Sequence, residues 1–379
     1  MVSSVRNDYI DVLRGLSIIF VLLLHFALAF GLRNSPLSVL PQQFFTGILS
    51  GNYGVTIFFV ISGFLITSHS LRRWDELRRI DLYAFYILRA SRILPPLVLA
   101  LVIIVVLGLF DLQYFSNTDN NQNLPQSFFV IALLSLLTFW HNILMQSVGY
   151  FNYCLNIYWS LSVEEVFYLL LPILCVVLKF DRLLLIVVIL LVGYGPIYRY
   201  EHLDNEIFYM YAYQACFDAI ALGCLSAWFA NNYDVSSKIA KGMIVLSMFS
   251  IFLIYFIGIQ GNEVWGFTLI AFFSGLFLFA STSGGRFSQK LLNFTYLLRW
   301  FGSHSYEIYL FHIIVLGVMR QFFSKDHVSY EMRLPLLMLF FVVTSVIASI
   351  VANRISIPFG DFYRRKYIKF GNNDIDYNK

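Results

Sequence analysis

Apolar runs of about 20 residues, the length that spans a bilayer, recur from one end of this sequence to the other. A helix rises about 1.5 Å per residue, so each run is long enough to cross a hydrocarbon core of about 30 Å. Lipid offers the backbone no hydrogen-bond partners, and a continuous apolar run meets that demand as an α-helix. The runs fall at 12–32, 53–71, 93–110, 127–145, 157–178, 183–200, 208–230, 243–259, 264–281, 303–322 and 334–354. The expected fold class is therefore all-α, a polytopic transmembrane helical bundle of about ten spans plus one segment that does not cross. No hydrophilic stretch is long enough to bury a core of its own. Residues 1–360 read as a single transmembrane domain and 361–379 as a basic cytoplasmic tail. Only 13% of the residues are charged, against about 25% in an ordinary soluble domain, which excludes disorder and a soluble enzyme. A net charge of +4 gives no ground for a nucleic-acid partner.

Basic residues sit in alternate links: Arg72, Arg73, Arg78, Arg79, Arg89 and Arg92, then Lys179 and Arg182, Lys238 and Lys241, then Arg286, Lys290 and Arg299, and finally Arg364, Arg365, Lys366 and Lys369. The positive-inside rule makes these cytoplasmic. Arg6 joins them, so both termini lie inside and the number of spans is even. Removing 127–145 from the eleven runs reconciles every link, and that segment is expected to re-enter or lie buried without spanning. The link at 111–126 has no Lys or Arg and reads as outside. Ala27-Leu28-Ala29 after the first run imitates a signal-peptide cleavage site, but the run contains His25 and no soluble domain follows, so it is expected to remain as the first span. Cys154, Cys175, Cys216 and Cys224 show no C-x-x-C spacing and read as buried thiols, with neither a disulfide framework nor a metal site. No duplicated halves are evident.

Ionisable residues within spans are disfavoured by roughly 2.5–3.5 kcal/mol or more each, and usually mark function. Arg14 and His25 are eleven residues apart, three turns plus about 20°, which puts both on one face of a helix roughly 16 Å apart. Glu164 and Glu165 interrupt the apolar run 157–178 in its outer half, at the expected depth of His25. A carboxylate beside a histidine fixes its tautomer and stabilises the imidazolium, as a base taking a hydroxyl proton requires. Arg89 and Arg92 share a face just before Pro95-Pro96, where a helix is expected to begin or break, and their planar forks suit phosphate. Ser62-Gly63 lets a neighbouring helix or ligand approach closely. His312 closes a polar stretch that opens a late span, and Asp218 lies in another. Helix pairing and snorkelling account for some of these groups.

Five ordered motifs, Arg14 with His25, Phe58-Phe59-Val60-Ile61-Ser62-Gly63-Phe64-Leu65-Ile66, Arg89-Ala90-Ser91-Arg92-Ile93-Leu94-Pro95, Trp159-Ser160-Leu161-Ser162-Val163-Glu164-Glu165-Val166-Phe167-Tyr168 and Ser305-Tyr306-Glu307-Ile308-Tyr309-Leu310-Phe311-His312, resemble the acyltransferase-3 family of membrane O-acyltransferases over nearly the whole chain. The resemblance implies transfer of an acetyl group from cytoplasmic acetyl-CoA to a hydroxyl of a glycan, such as lipopolysaccharide O-antigen or a lipid-linked glycan, in the bacterial inner membrane. It implies that Arg14, Arg89 and Arg92 bind the donor, that His25 acts as base with Glu164 or Glu165, and that Ser62, Trp159, Ser162 and His312 contact substrate. A covalent acetyl-histidine stays open as a variant. Some relatives append a soluble esterase-like domain; this sequence stops soon after Tyr363, so such an activity is expected to be absent or separate. Many carry an arginine where this chain has Cys216, so an arginine partner for Asp218 is not assumed. The rival from another class is a proton-coupled transporter or flippase using the same buried Arg, His and Glu.

Overall fold

The computed structural model describes residues 7–121, 124–178, 181–283 and 288–368, and the regular structure among them is helical. Arg6, Lys179, Arg286 and Lys369 of the basic links lie outside the described residues. The chain runs through α1 (Asp8–Phe30), the short α2 (Gln42–Leu49), α3 (Tyr53–Trp74) and α4 (Leu82–Leu109). Next come α5 (Phe128–Leu137), α6 (His141–Val148), α7 (Trp159–Leu178), α8 (Asp181–Glu201), α9 (Glu206–Tyr211) and α10 (Tyr213–Asn232). The last part holds α11 (Ser237–Ile257), α12 (Glu263–Ser283), α13 (Gln289–Phe294), α14 (Tyr296–Ser303), α15 (Ser305–Phe322), α16 (Arg333–Val351) and α17 (Ile357–Ile368). Among the described residues eight helices, with α16 and α17 counted as one, are long and apolar enough to cross a membrane. α10 and α15, of 20 and 18 residues, have comparable length but carry more polar side chains, turned inward: Asp218, Glu307 and His312 are all buried.

The segment expected not to cross is broken in two. α5 has 10 residues, about 15 Å of rise and half of a hydrocarbon core. The chain then turns at Phe139, which has a left-handed φ of 64°, and enters α6. His141, Asn142, Phe151 and Asn152 behind this turn are fully buried, so α5, α6 and the following link form packing within the bundle.

The expectation that a helix begins or breaks at Pro95-Pro96 does not hold. α4 runs from Leu82 to Leu109 with both prolines inside it. Its start is fixed earlier, where the Asp81 carboxylate accepts from the Ala84 N–H at 3.1 Å. The prolines remove two N–H donors from the ladder, and close by the Tyr306 hydroxyl donates to the Ile93 carbonyl at 2.9 Å. Arg89 and Arg92 thus stand on a continuous helix.

Two glycine crossings bring helices of the bundle into backbone contact. A Cβ on Gly63 would lie 2.0 Å from the Ile220 carbonyl oxygen, and one on Gly223 2.0 Å from that of Val60, so α3 and α10 touch backbone to backbone. Gly15 and Gly302 do the same for α1 and α14, each 1.9 Å from the partner's carbonyl. Ser62 and Arg14 are the residues preceding these two contacts. In the expected tail, 361–368 is helical, the end of α17, and Asp361 and Arg364 line a cavity with the core helices, while 369–379 lie outside the described residues.

Candidate active site

A cavity of about 1490 Å³ lies where the N-terminal ends of α1, α4 and α15 meet the C-terminal ends of α3, α12 and the α16–α17 rod. Small-molecule pockets usually measure about 300–1,000 Å³, so this one suits a large ligand. Six arginines line it: Arg14, Arg72, Arg73, Arg89, Arg92 and Arg364. The Nε atoms of Arg14 and Arg89 are buried without a hydrogen-bond partner among the described residues. Buried donors are nearly always satisfied in folded proteins, so donors left over on a cavity wall mark a place for a ligand's acceptors.

One carboxylate organises the wall. Glu164 Oε1 accepts from Arg89 Nη2 at 3.2 Å and from the hydroxyls of Ser62 and Tyr168. Arg89 also stacks 3.2 Å above the Tyr168 ring centroid. Glu165 Oε1 stands 4.0 Å from the same guanidinium nitrogen. α3, α4 and α7 are thereby locked together around Arg89.

This geometry corrects the expectation that Glu164 or Glu165 orients His25. Ser160 and Tyr309 hydrogen-bond at 2.7 Å and put α7 and α15 in register. From that level His312 lies three residues along α15 and Glu164 four along the antiparallel α7, which by helix rise separates them by roughly 10 Å. The carboxylates face Arg89 because a cation at that depth requires a counter-charge, and Arg89 is the one within reach.

His25 meets a second histidine instead. Its ring and that of His312 pack edge to face, with centroids 4.9 Å apart at 61°. Nδ1 of His25 bonds the Val21 carbonyl at 2.9 Å, and Nδ1 of His312 bonds the Tyr309 carbonyl at 2.7 Å. A carbonyl only accepts, so each Nδ1 carries the hydrogen and each neutral ring presents its Nε2 lone pair. His312 is fully buried while His25 is partly exposed. Tyr309, which lines the deep end of the cavity, has its ring 5.7 Å from that of His312.

The structure therefore gathers Arg14, Arg89, Arg92, Ser62, Glu164 and Glu165 on one cavity, and sets His25 with His312 beyond its inner end. Trp159 and Ser162 stand apart from both. The Trp159 ring lies tilted against that of Tyr211 with centroids 4.5 Å apart, and the hydroxyl of Ser162, a residue 1% exposed, accepts from the His141 N–H at 3.1 Å. Sequence reasoning quoted Tyr168, one helical turn after Glu164, and Tyr309 within motifs but gave neither a role. It missed His69, which lines the cavity, and read Arg72, Arg73 and Arg364 as orientation signals alone. Asp218 does have an arginine partner, Arg199 from α8, in a pair whose side chains are each 1% exposed. None of the four cysteines forms a disulfide, and all four are buried.

A motif-bearing bundle built around such a cavity fits a family of membrane enzymes. The acyltransferase-3 family, whose signature is described as an acyltransferase domain, matches residues 7–354, and this chain belongs to that family. It is 26% identical over 303 residues to the O-acetyltransferase OatA of Staphylococcus aureus strain NCTC 8325 / PS 47, covering 74% of this chain and 48% of that protein. A Staphylococcus aureus strain COL protein, provisionally named an O-acetyltransferase, is 26% identical over 343 residues, covering 84% of this chain and 52% of its own. The chain spans about half the length of the curated relatives it matches. No solved structure matches it.

Proposed function

We infer that the protein is a membrane O-acetyltransferase, which takes the acetyl group of cytoplasmic acetyl-CoA and places it on a hydroxyl of a glycan such as lipopolysaccharide O-antigen. The observation that carries this reading is the set of arginines on one large cavity whose inner end abuts a histidine pair. Acetyl-CoA is an elongated donor with phosphates at one end and its thioester at the other. Arg89, Arg92 and Arg14 suit the phosphates because guanidinium forks bind phosphate oxygens in a fixed plane. The pantetheine arm then runs inward past Ser62 and Tyr309. His25 is the base that takes the acceptor's hydroxyl proton as oxygen attacks the thioester carbonyl. Glu164 and Glu165 act on the donor side, holding Arg89 in place.

This reading sets the arginine mouth, and with it both termini, on the cytoplasmic side of the bacterial inner membrane, in keeping with the positive-inside rule. Family membership and relatives named O-acetyltransferases favour the enzyme over the transporter or flippase. The test uses purified protein in lipid nanodiscs with acetyl-labelled CoA and a polysaccharide acceptor. Expected is acceptor-dependent release of free CoA, with label on the glycan, lost in His25→Ala. Uptake of substrate into proteoliposomes without CoA release points to the rival.

A further inference from the structure

We propose that His312 is the acid of the same reaction: it delivers to the departing CoA sulfur the proton that His25 removes from the acceptor. This rests on the acetyl-CoA reading above and assigns His312 a chemical step of its own. Three observations carry it. His312 is fully buried, and among the described residues its Nε2 has no hydrogen-bond partner, so the one ring nitrogen not tied to the backbone keeps its donor or acceptor capacity to spare. Both rings are pinned through Nδ1 to backbone carbonyls, so proton exchange is confined to the two Nε2 atoms of rings 4.9 Å apart. Among the described residues neither ring forms an ion pair with a carboxylate, and the two imidazoles are in edge-to-face contact with each other.

Position assigns the roles. The order from the arginine cavity is Tyr309, then His312, then the partly exposed His25, which does not line that cavity. A thioester threaded up the cavity meets the His312 side first, and a hydroxyl arriving from beyond meets His25. The step balances without a co-reactant. The acceptor O–H proton moves to His25 Nε2 as its oxygen bonds to the acetyl carbonyl carbon. The carbon–sulfur bond breaks with its electron pair on sulfur. The proton passes from His25 to His312 and on to sulfur, leaving CoA thiol, acetylated acceptor and two neutral imidazoles. A cysteine thiol has a pKa of about 8.5 in water, the alkyl thiol of CoA is less acidic still, and an apolar site disfavours its thiolate further, so protonation helps this leaving group depart.

The test compares two truncated donors, the acetyl thioesters of N-acetylcysteamine and of thiophenol, whose thiolate leaves without a proton. His312→Asn keeps an amide N–H for the Tyr309 carbonyl and removes the Nε2 lone pair. Retained acetyl-CoA binding in nanodiscs verifies the fold, and where the Asn variant fails that check, His312→Gln carries the same comparison. Expected is a loss on the order of 100-fold with the alkyl thioester and less than about tenfold with the aryl one. His25→Asn is expected to lose both equally. Equal losses from His312→Asn with both donors, or no loss with either, overturn the relay while leaving the acetyltransferase reading intact. Full activity of His25→Asn on both donors overturns that reading instead.

Discussion

Among the described residues the Arg199–Asp218 and Arg89–Glu164 pairs differ in how completely their donors are used. Arg199 gives Nε to the Val264 carbonyl at 3.1 Å, Nη1 to the Ala215 carbonyl and Asp218, and Nη2 to Asp218 and Thr268. Asp218 in turn accepts from Thr268 at 2.7 Å and from the Ala219 N–H at 2.8 Å. That pair is sealed, and its work is to tie α8, α10 and α12 together. Arg89 and Glu164 are 24% and 22% exposed, and Arg89 leaves Nε without a partner. One cluster satisfies its own hydrogen bonds and the other is waiting for acceptors. An intramembrane charge is thus a weak sign of function by itself; an intramembrane charge with donors to spare on a cavity wall is a stronger one.

The largest effect expected from breaking this contrast is on stability. Arg199→Ala leaves Asp218 buried and unpaired, which typically destabilises by about 3–5 kcal/mol. A lowered thermal midpoint in detergent and reduced yield in the membrane report it, and Arg199→Met with Asp218→Leu together should recover much of the loss. Arg89→Ala should act differently. Glu164 keeps the Ser62 and Tyr168 hydroxyls and a watered cavity, so the fold persists. Loss of one charge-assisted contact, about 1.5–3 kcal/mol, should raise the KM for acetyl-CoA tenfold or more with little change in the thermal midpoint. Gly63→Ala tests the wall beside Ser62: its Cβ meets the Ile220 carbonyl, and overpacking of this kind costs about 1–3 kcal/mol, read as a lower thermal midpoint with the KM less affected. The smallest effect belongs to Arg364→Ala. Its side chain is 64% exposed and paired with Asp361 at 3.5 Å, so the KM should rise no more than about threefold, and less at high salt.

The apolar periodicity made the fold class legible, because each span's length and polarity are local properties. The residues of the cavity were legible for a related reason: Arg14, Arg89, Arg92 and Glu164 stand out as charges in apolar runs. Their pairing was not. Spacing along one helix fixes a face, as it did for Arg14 and His25, but carries no information about the height at which a neighbouring helix sits. Depth counted from span ends put Glu164 beside His25, whereas α7 follows a buried, non-spanning segment and meets α4 at Arg89. No sequence spacing linked Arg199, near the end of the run 183–200, to Asp218 on the next long helix. Tyr168 closed a quoted motif, but its place one turn after Glu164 was not used to give it a role. Pro95-Pro96 misled because tertiary packing carried a helix through two residues that alone would end one.

The central claim is that donor binding and chemistry are separate in space, with arginines on the cavity and histidines past its end. Equilibrium binding of acetyl-CoA to nanodisc-embedded protein, measured by calorimetry for His25→Asn and for Arg89→Ala with Arg92→Ala, tests it most directly. The predicted result is wild-type affinity within about twofold for the histidine variant, and at least tenfold weaker binding for the arginine variant, consistent with charge-assisted contacts of this kind. Weakened binding in the histidine variant together with undiminished binding in the arginine variant would contradict the account.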